Sequence, residues 1–214
     1  MSDYSDFVAT LKDWANRQDW SDALVMSYVR AAEQKLNSEL RIARMIKYAS
    51  NTVTDACGPL PDDWLEMDLV QIAAGWASTG FCPIHYKTRE EFFRTEAVRD
   101  TSAIQQTWRF YTLIGRTIYF GGQPDEVNGT PYKIAYYAEV PVFADATPSW
   151  VYSKYPSLYL YAALMHAELH AIGEEQSAAN MKALAEDAIQ KLNQEHQRSK
   201  ASGSRLTRTR RSFG

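Results

Sequence analysis

The apolar positions of the chain follow two rhythms. Toward both ends they recur every three or four residues, the period of a helix packed on one side, and in the middle they alternate or cluster between turn residues. Residues 3–17 set Phe7, Leu11 and Trp14 at helical spacing, with Ser2 and Asp3 as caps. Ser21 is a candidate N-cap for a longer helix whose stripe is Leu24, Val25, Tyr28, Val29, Ala32, Leu36 and Leu40. The helical period then stops. Residues 41–54 (RIARMIKYASNTVT) carry β-branched side chains and predict a strand or two, before Gly58, Pro59 and Pro61 signal turns.

Residues 60–142 read as a small β-rich insert with candidate strands at 69–76, 82–87, 107–114, 117–120 and 132–137. Gly115-Arg116 separates two of them by two residues, the length of a tight hairpin turn. Thr88 caps a short helix over 88–95, with Glu90 and Glu91 in its first turn and Phe92 and Phe93 for burial. QPDEVNGT, residues 123–130, predicts an exposed loop. After Pro141 the helical period returns through Trp150, Tyr155, Leu158, Tyr159, Tyr161, Ala162, Met165 and Leu169, with Gly173 as the stop. A last helix runs from about residue 174 to 197 with Ala179, Met181, Leu184, Ala188, Ile189 and Leu192 inward.

The predicted fold class is α+β: a four-helix bundle of two N-terminal and two C-terminal helices, an inserted small β-rich domain, and an extended C-terminal tail. The expected boundaries are 1–57 for the first helices and strand, 58–145 for the insert, 146–197 for the closing helices and 198–214 for the tail. No internal repeat interrupts this order.

Charge changes the picture more than composition does. The 214 residues are 45% hydrophobic and carry 23 basic against 26 acidic side chains, which is ordinary for a globular chain. Six of the basic residues (Arg198, Lys200, Arg205, Arg208, Arg210, Arg211) lie in 198–214 with no acid among them, leaving 17 basic against 26 acidic residues before that point. The body is acidic and the end is basic. With only Leu206 and Phe213 as sizeable apolar residues, the end cannot bury enough to fold alone. It reads either as a solvated terminus or as a strap that orders on a partner, its arginines meeting carboxylates or phosphates.

Several function classes find no support. No apolar run approaches the ~18 residues of a membrane-spanning helix, and residues 1–6 carry acids without a basic run, so no secretory signal is expected. Cys57 and Cys82 are too few for a disulfide scaffold and wrongly spaced for structural zinc. His166 and His170 share one helix face at the spacing of a zinc pair, but Glu168 does not directly follow the first histidine as a zinc protease requires. His85 and His196 have no local claim to be a third ligand. No GxSxG, GxxxxGK[ST] or GxGxxG motif is present, and Gly121-Gly122 is an isolated pair. The acidic pairs Asp62-Asp63 and Glu90-Glu91 sit in a loop and in a helix first turn. No catalytic residue, metal or cofactor is therefore expected. An acidic body argues against a nucleic-acid surface, except through the basic end, where affinity would be weak and salt-sensitive.

Five stretches carry a resemblance. They are SDFVATLKDWANRQDWSDALVMSYVRAAEQKLNSELR, GPLPDDWLEMDLV, YKIAYYAEVPVF, WVYSKYPSLYLYAALMHAELHA and GEEQSAANMKAL, collinear over most of residues 1–195. In this order they resemble the head-to-tail adaptors of tailed bacteriophages, in particular the tail-tube adaptors of short-tailed phages. The resemblance implies a virion structural protein, assembled in the host cytoplasm as a ring of twelve copies under the portal. It would join the capsid to a tail tube or nozzle protein and let DNA pass. It also implies a C-terminal segment that reaches onto the portal, a role falling here to Arg205, Leu206, Arg208, Arg210, Arg211 and Phe213. An acidic ring body would repel passing phosphate. The alternatives are a DNA-binding packaging accessory using the basic end, and a zinc hydrolase using His166 and His170.

Overall fold

The computed structural model describes residues 3–53, 55–73, 80–97, 110–121, 129–144, 148–173 and 175–205. The chain divides into a helical unit, Met1–Arg44 with Glu139–Gly214, and a β unit, Met45–Ala138.

In the helical unit, α1 (Asp3–Trp14) buries Phe7 and Leu11 completely. Trp14, expected on the same stripe, is 56% exposed. α2 (Asp22–Glu39) begins at Ser21, whose hydroxyl accepts the Leu24 N–H, and buries Val25, Tyr28, Val29, Ala32, Glu33 and Leu36. Ser149 caps α4 (Trp150–Lys154) by accepting from Tyr152 N–H. Pro156 then opens α5 (Pro156–Ala167) as its first residue, where a missing N–H costs no helix bond. α5 runs into a π-helical turn, Glu168–Ile172, closed by Gly173 at φ 72° with its N–H on the Glu168 carbonyl. α6 spans Glu175–Arg205.

The expected four-helix bundle with a small insert is not what forms. Among the described residues there are six helices and two four-stranded sheets. The helix predicted after Pro141 is broken at Tyr155-Pro156 into α4 and α5. α5 buries Leu158, Tyr159, Leu160, Ala162, Ala163, Leu164 and Ala167 and packs on α1, α2, α4 and α6. A helix apolar on every side becomes a hub rather than one wall of a bundle. Among the described side chains of α6 the buried ones are Ala178, Ala185, Ile189 and His196, while Leu184 is 44% exposed. The stripe is thus turned from the predicted phase, placing small alanines where α6 meets α5. The tail expected to be extended from 198 remains helical to Arg205.

The β unit holds β1 (Ile46–Val53), β2 (Cys57–Pro59), β3 (Trp64–Ala73), β4 (Phe81–Pro83), β5 (His85–Tyr86), α3 (Arg89–Ala97), β6 (Phe110–Ile114), β7 (Thr117–Gly121) and β8 (Thr130–Ala138). One sheet has the order β1-β8-β3-β4 and is antiparallel throughout. The other has the order β2-β7-β6-β5, with β5 parallel to β6. The inward residues of both sheets share one core that includes Val53, Val70, Ile72, Ile118, Phe120, Tyr132 and Ile134. β8 shows the alternation responsible: Tyr132, Ile134, Tyr136 and Ala138 all enter that core. The β6–β7 hairpin turns at Gly115, φ 60°. On α3, Thr88 and Glu91 form a reciprocal cap, each side chain accepting the other's N–H, and Phe92 is buried while Phe93 is 50% exposed.

Candidate functional site

Of the predicted partner-binding residues, Arg205 is the one that the structure describes, and it belongs to α6. Arg205 is its last residue, and Arg198 and Lys200 are exposed on the turns before it. Leu206, Arg208, Arg210, Arg211 and Phe213 lie outside the described residues.

Among the described residues no group of three or more His, Cys, Asp or Glu side chains could hold a metal ion. His166 is half-buried, with Nε2 enclosed and lacking a hydrogen-bond partner, and burial, aided by the Lys35 charge, pushes its pKa down. His170 is exposed on the π-helical turn, its ring 6.4 Å from that of Tyr28. His85 lies on β5 and His196 is buried on α6. Of the acidic pairs, Asp62 is exposed 3.5 Å from Arg116, and Glu91 serves the α3 cap. Gly121 is required by packing, since a Cβ there would run into the Phe110 ring; Gly122 lies outside the described residues.

The polar network that does organise the helical unit went unread in the sequence. Glu33 sits on the buried face of α2, where one of its carboxylate oxygens accepts the Phe143 N–H at 2.6 Å and the Tyr159 hydroxyl at 2.8 Å. One turn on, Asn37 Oδ1 accepts the Val140 N–H at 2.8 Å. The segment following β8 is therefore fastened to α2 by two side chains. Burial raises the Glu33 pKa, against the opposing pull of the Phe143 and Tyr159 hydrogen bonds and the Arg30 charge. Around it Tyr4, Phe7, Phe143, Tyr152 and Tyr159 stack with centroids 5.2–5.5 Å apart. At the far end of α2, Asn193 of α6 donates to the Glu39 carbonyl at 2.8 Å and accepts the Arg41 N–H at 2.7 Å. The available signal was a charged residue, Glu33, inside an apolar stripe.

In the β unit, Asp63 receives Lys47 Nζ at 2.6 Å and the Tyr136 hydroxyl at 2.9 Å. Burial pushes Asp63 upward, but these two hydrogen bonds and the Lys47 charge hold it below the usual carboxylate range. Burial and the Asp63 bond push the Tyr136 phenol up to about 12.

These groups fasten backbone and hold elements together. No helix among the described residues is long and apolar enough to cross a membrane. A search of curated proteins gives no match. The SU10 adaptor protein family matches residues 2–210, which takes in both units and much of the basic end. The resemblance seen in the five sequence stretches is thereby borne out, and the chain belongs to the SU10 adaptor protein family, the structural head-to-tail adaptors of tailed phages.

Proposed function

We propose that this protein forms a ring beneath the portal of a phage particle, joins the capsid to the tail tube or nozzle, and surrounds the path of the genome. The observation that carries the reading is the family match over residues 2–210. The charge distribution supports it: 17 basic against 26 acidic residues before position 198 give a body that repels phosphate, while the end carries six cations. A ring arises from head-to-tail contacts between identical copies. Twelve copies and assembly in the host cytoplasm belong to the same proposal.

In this reading Arg205, Leu206, Arg208, Arg210, Arg211 and Phe213 grip the portal, the arginines on carboxylates and the two apolar side chains as anchors. Because α6 continues to Arg205, the test is a truncation beginning at Leu206, which keeps every described residue of that helix. Purified portal should recruit the full chain and lose affinity for the truncated one, and images of the full complex should have rotational symmetry. Undiminished recruitment of the truncated chain would overturn the portal-binding role of Leu206, Arg208, Arg210, Arg211 and Phe213. A complex without rotational symmetry would overturn the ring.

A further inference from the structure

His166 stands on α5, the helix on which α1, α2, α4 and α6 pack. Its ring is half-buried, and Nε2 is enclosed without a hydrogen-bond partner. A neutral imidazole tolerates that position, because its single proton can reside on Nδ1 and leave Nε2 a bare acceptor. The protonated ring has no such choice. Both nitrogens then carry N–H, and Nε2 becomes a charged donor with no acceptor in reach, which costs the full desolvation of that group.

The charges at this seam offer no compensation. α2 contributes Lys35, whose side chain is 10% exposed and whose charge acts on His166, and Glu39, 2.8 Å from Lys35 Nζ. α6 contributes Glu186, 3.4 Å from Lys35 Nζ, then Lys182, 3.8 Å from Glu186, and further along the buried His196. Both carboxylates are engaged, and two cations already balance two anions. A proton on His166 adds a third positive charge. α1 meets α5 a turn or more earlier, at Tyr159 and Tyr161, and the cation of α4, Lys154, lies ahead of the start of α5. On its own helix Glu168 is two residues on and so points elsewhere, and His170 is exposed on the π-helical turn.

We propose that His166 is an acid-sensitive joint of the helical unit: on mild acidification a proton on its ring loosens the seam where α5 meets α2 and α6. Burial and the Lys35 charge push the His166 pKa down, so the folded chain resists a proton that the unfolded chain accepts. The resulting stability is present above the ordinary imidazole value and is lost as pH falls from there through the lowered folded value. Glu33 acts in the opposite sense, and Asp63 acts below the ordinary carboxylate range. A loss between about pH 7 and 5 therefore belongs to histidine. α6 runs on to Arg205, so the helix freed is the one that leads into the basic end. The joint is independent of the ring and of the portal contact and stands or falls separately from them.

The test follows the imidazole resonances and the backbone amide exchange of the full chain from about pH 7.5 to 5. The His166 ring should titrate below that of His170. Amides at Ala163, Ala167, Ala185 and Ile189 should lose protection on acidification, while those of β8 keep theirs. In His166→Gln, which keeps a polar side chain that takes no proton over this range, the acid-dependent loss should vanish. In Lys35→Met, which removes the neighbouring charge, it should shrink, and His166 should titrate nearer its ordinary value. His170→Gln should leave the loss intact. The proposal is overturned if the seam amides keep their protection at about pH 5, if His166 titrates at or above the ordinary imidazole value, or if the loss persists in His166→Gln. The wild-type titration and exchange decide the matter even where a variant does not fold.

Discussion

The Tyr159 hydroxyl and the Phe143 N–H converge on one oxygen of Glu33, at 2.8 and 2.6 Å, inside a cluster of aromatic rings. A carboxylate in such a place serves as a double acceptor, and its charge is a cost that its hydrogen bonds only partly offset. Removing the acceptor and removing the charge should therefore have different effects. Glu33→Ala leaves two buried donors unpaired and should cost about 3 kcal/mol in chemical denaturation. Glu33→Gln keeps an oxygen in place and should cost much less at neutral pH.

The pH dependence of the same residue has a definite sign. Burial raises the Glu33 pKa, so the folded state holds that proton more tightly than the unfolded state does. Its contribution to stability is fully present below the ordinary carboxylate pKa, and is lost as pH rises through the higher folded value. Stability curves of the wild type and Glu33→Gln should diverge as pH rises through this range, with the glutamine variant losing less. Parallel curves would mean that the carboxylate is not desolvated as described.

Asp63 predicts the opposite trend. Its folded pKa lies below the unfolded value, so its contribution is present above the ordinary aspartate range and fades as pH falls through the lowered value. Asp63→Asn should remove that acid-side loss. It should also bring the Tyr136 phenol down from about 12 toward its ordinary value, since the Asp63 bond and charge are part of what raises it. Ultraviolet titration of the phenols reads this directly.

Asn193 predicts a local effect. Asn193→Ala removes both hydrogen bonds that tie α6 to the end of α2, at a cost of about 1–2 kcal/mol. The Arg41 amide should exchange faster, while the β-unit amides stay unchanged. Retained protection at Arg41 would contradict the assigned role.

Gly121 predicts a packing effect. Gly121→Ala drives a methyl into the Phe110 ring and should destabilise the β unit by about 1–3 kcal/mol. Pairing it with Phe110→Leu should recover part of that loss, which a thermal melt of the double variant would reveal.

Much of this architecture was legible from local chemistry. Ser21, Thr88, Gly115 and Gly173 act where the sequence placed caps, turn and stop, because each depends on a few neighbouring atoms. The α+β division was legible for the same reason. The bundle was not, since a stripe says that a helix must be covered and not by how many neighbours. α5, apolar all round, answered that question with four. β2 was lost among turn signals because a three-residue strand owes its existence to β7 rather than to its own pattern. Glu33, Asn37 and Asn193 bond across more than 100 residues of chain, and only the folded path brings them to their acceptors and donors. The basic end was visible as a charge pattern, but charge alone does not name what it touches.

Asn193 holds the backbone at Arg41, where the chain leaves the helical unit, and Asn37 and Glu33 hold it at Val140 and Phe143, after it has come back. Departure is therefore moored to α6 and return to α2, whatever lies between. An ancestor could have lengthened, trimmed or exchanged the intervening cassette while its helices kept their register, so relatives should diverge most in that cassette and least at the three moorings.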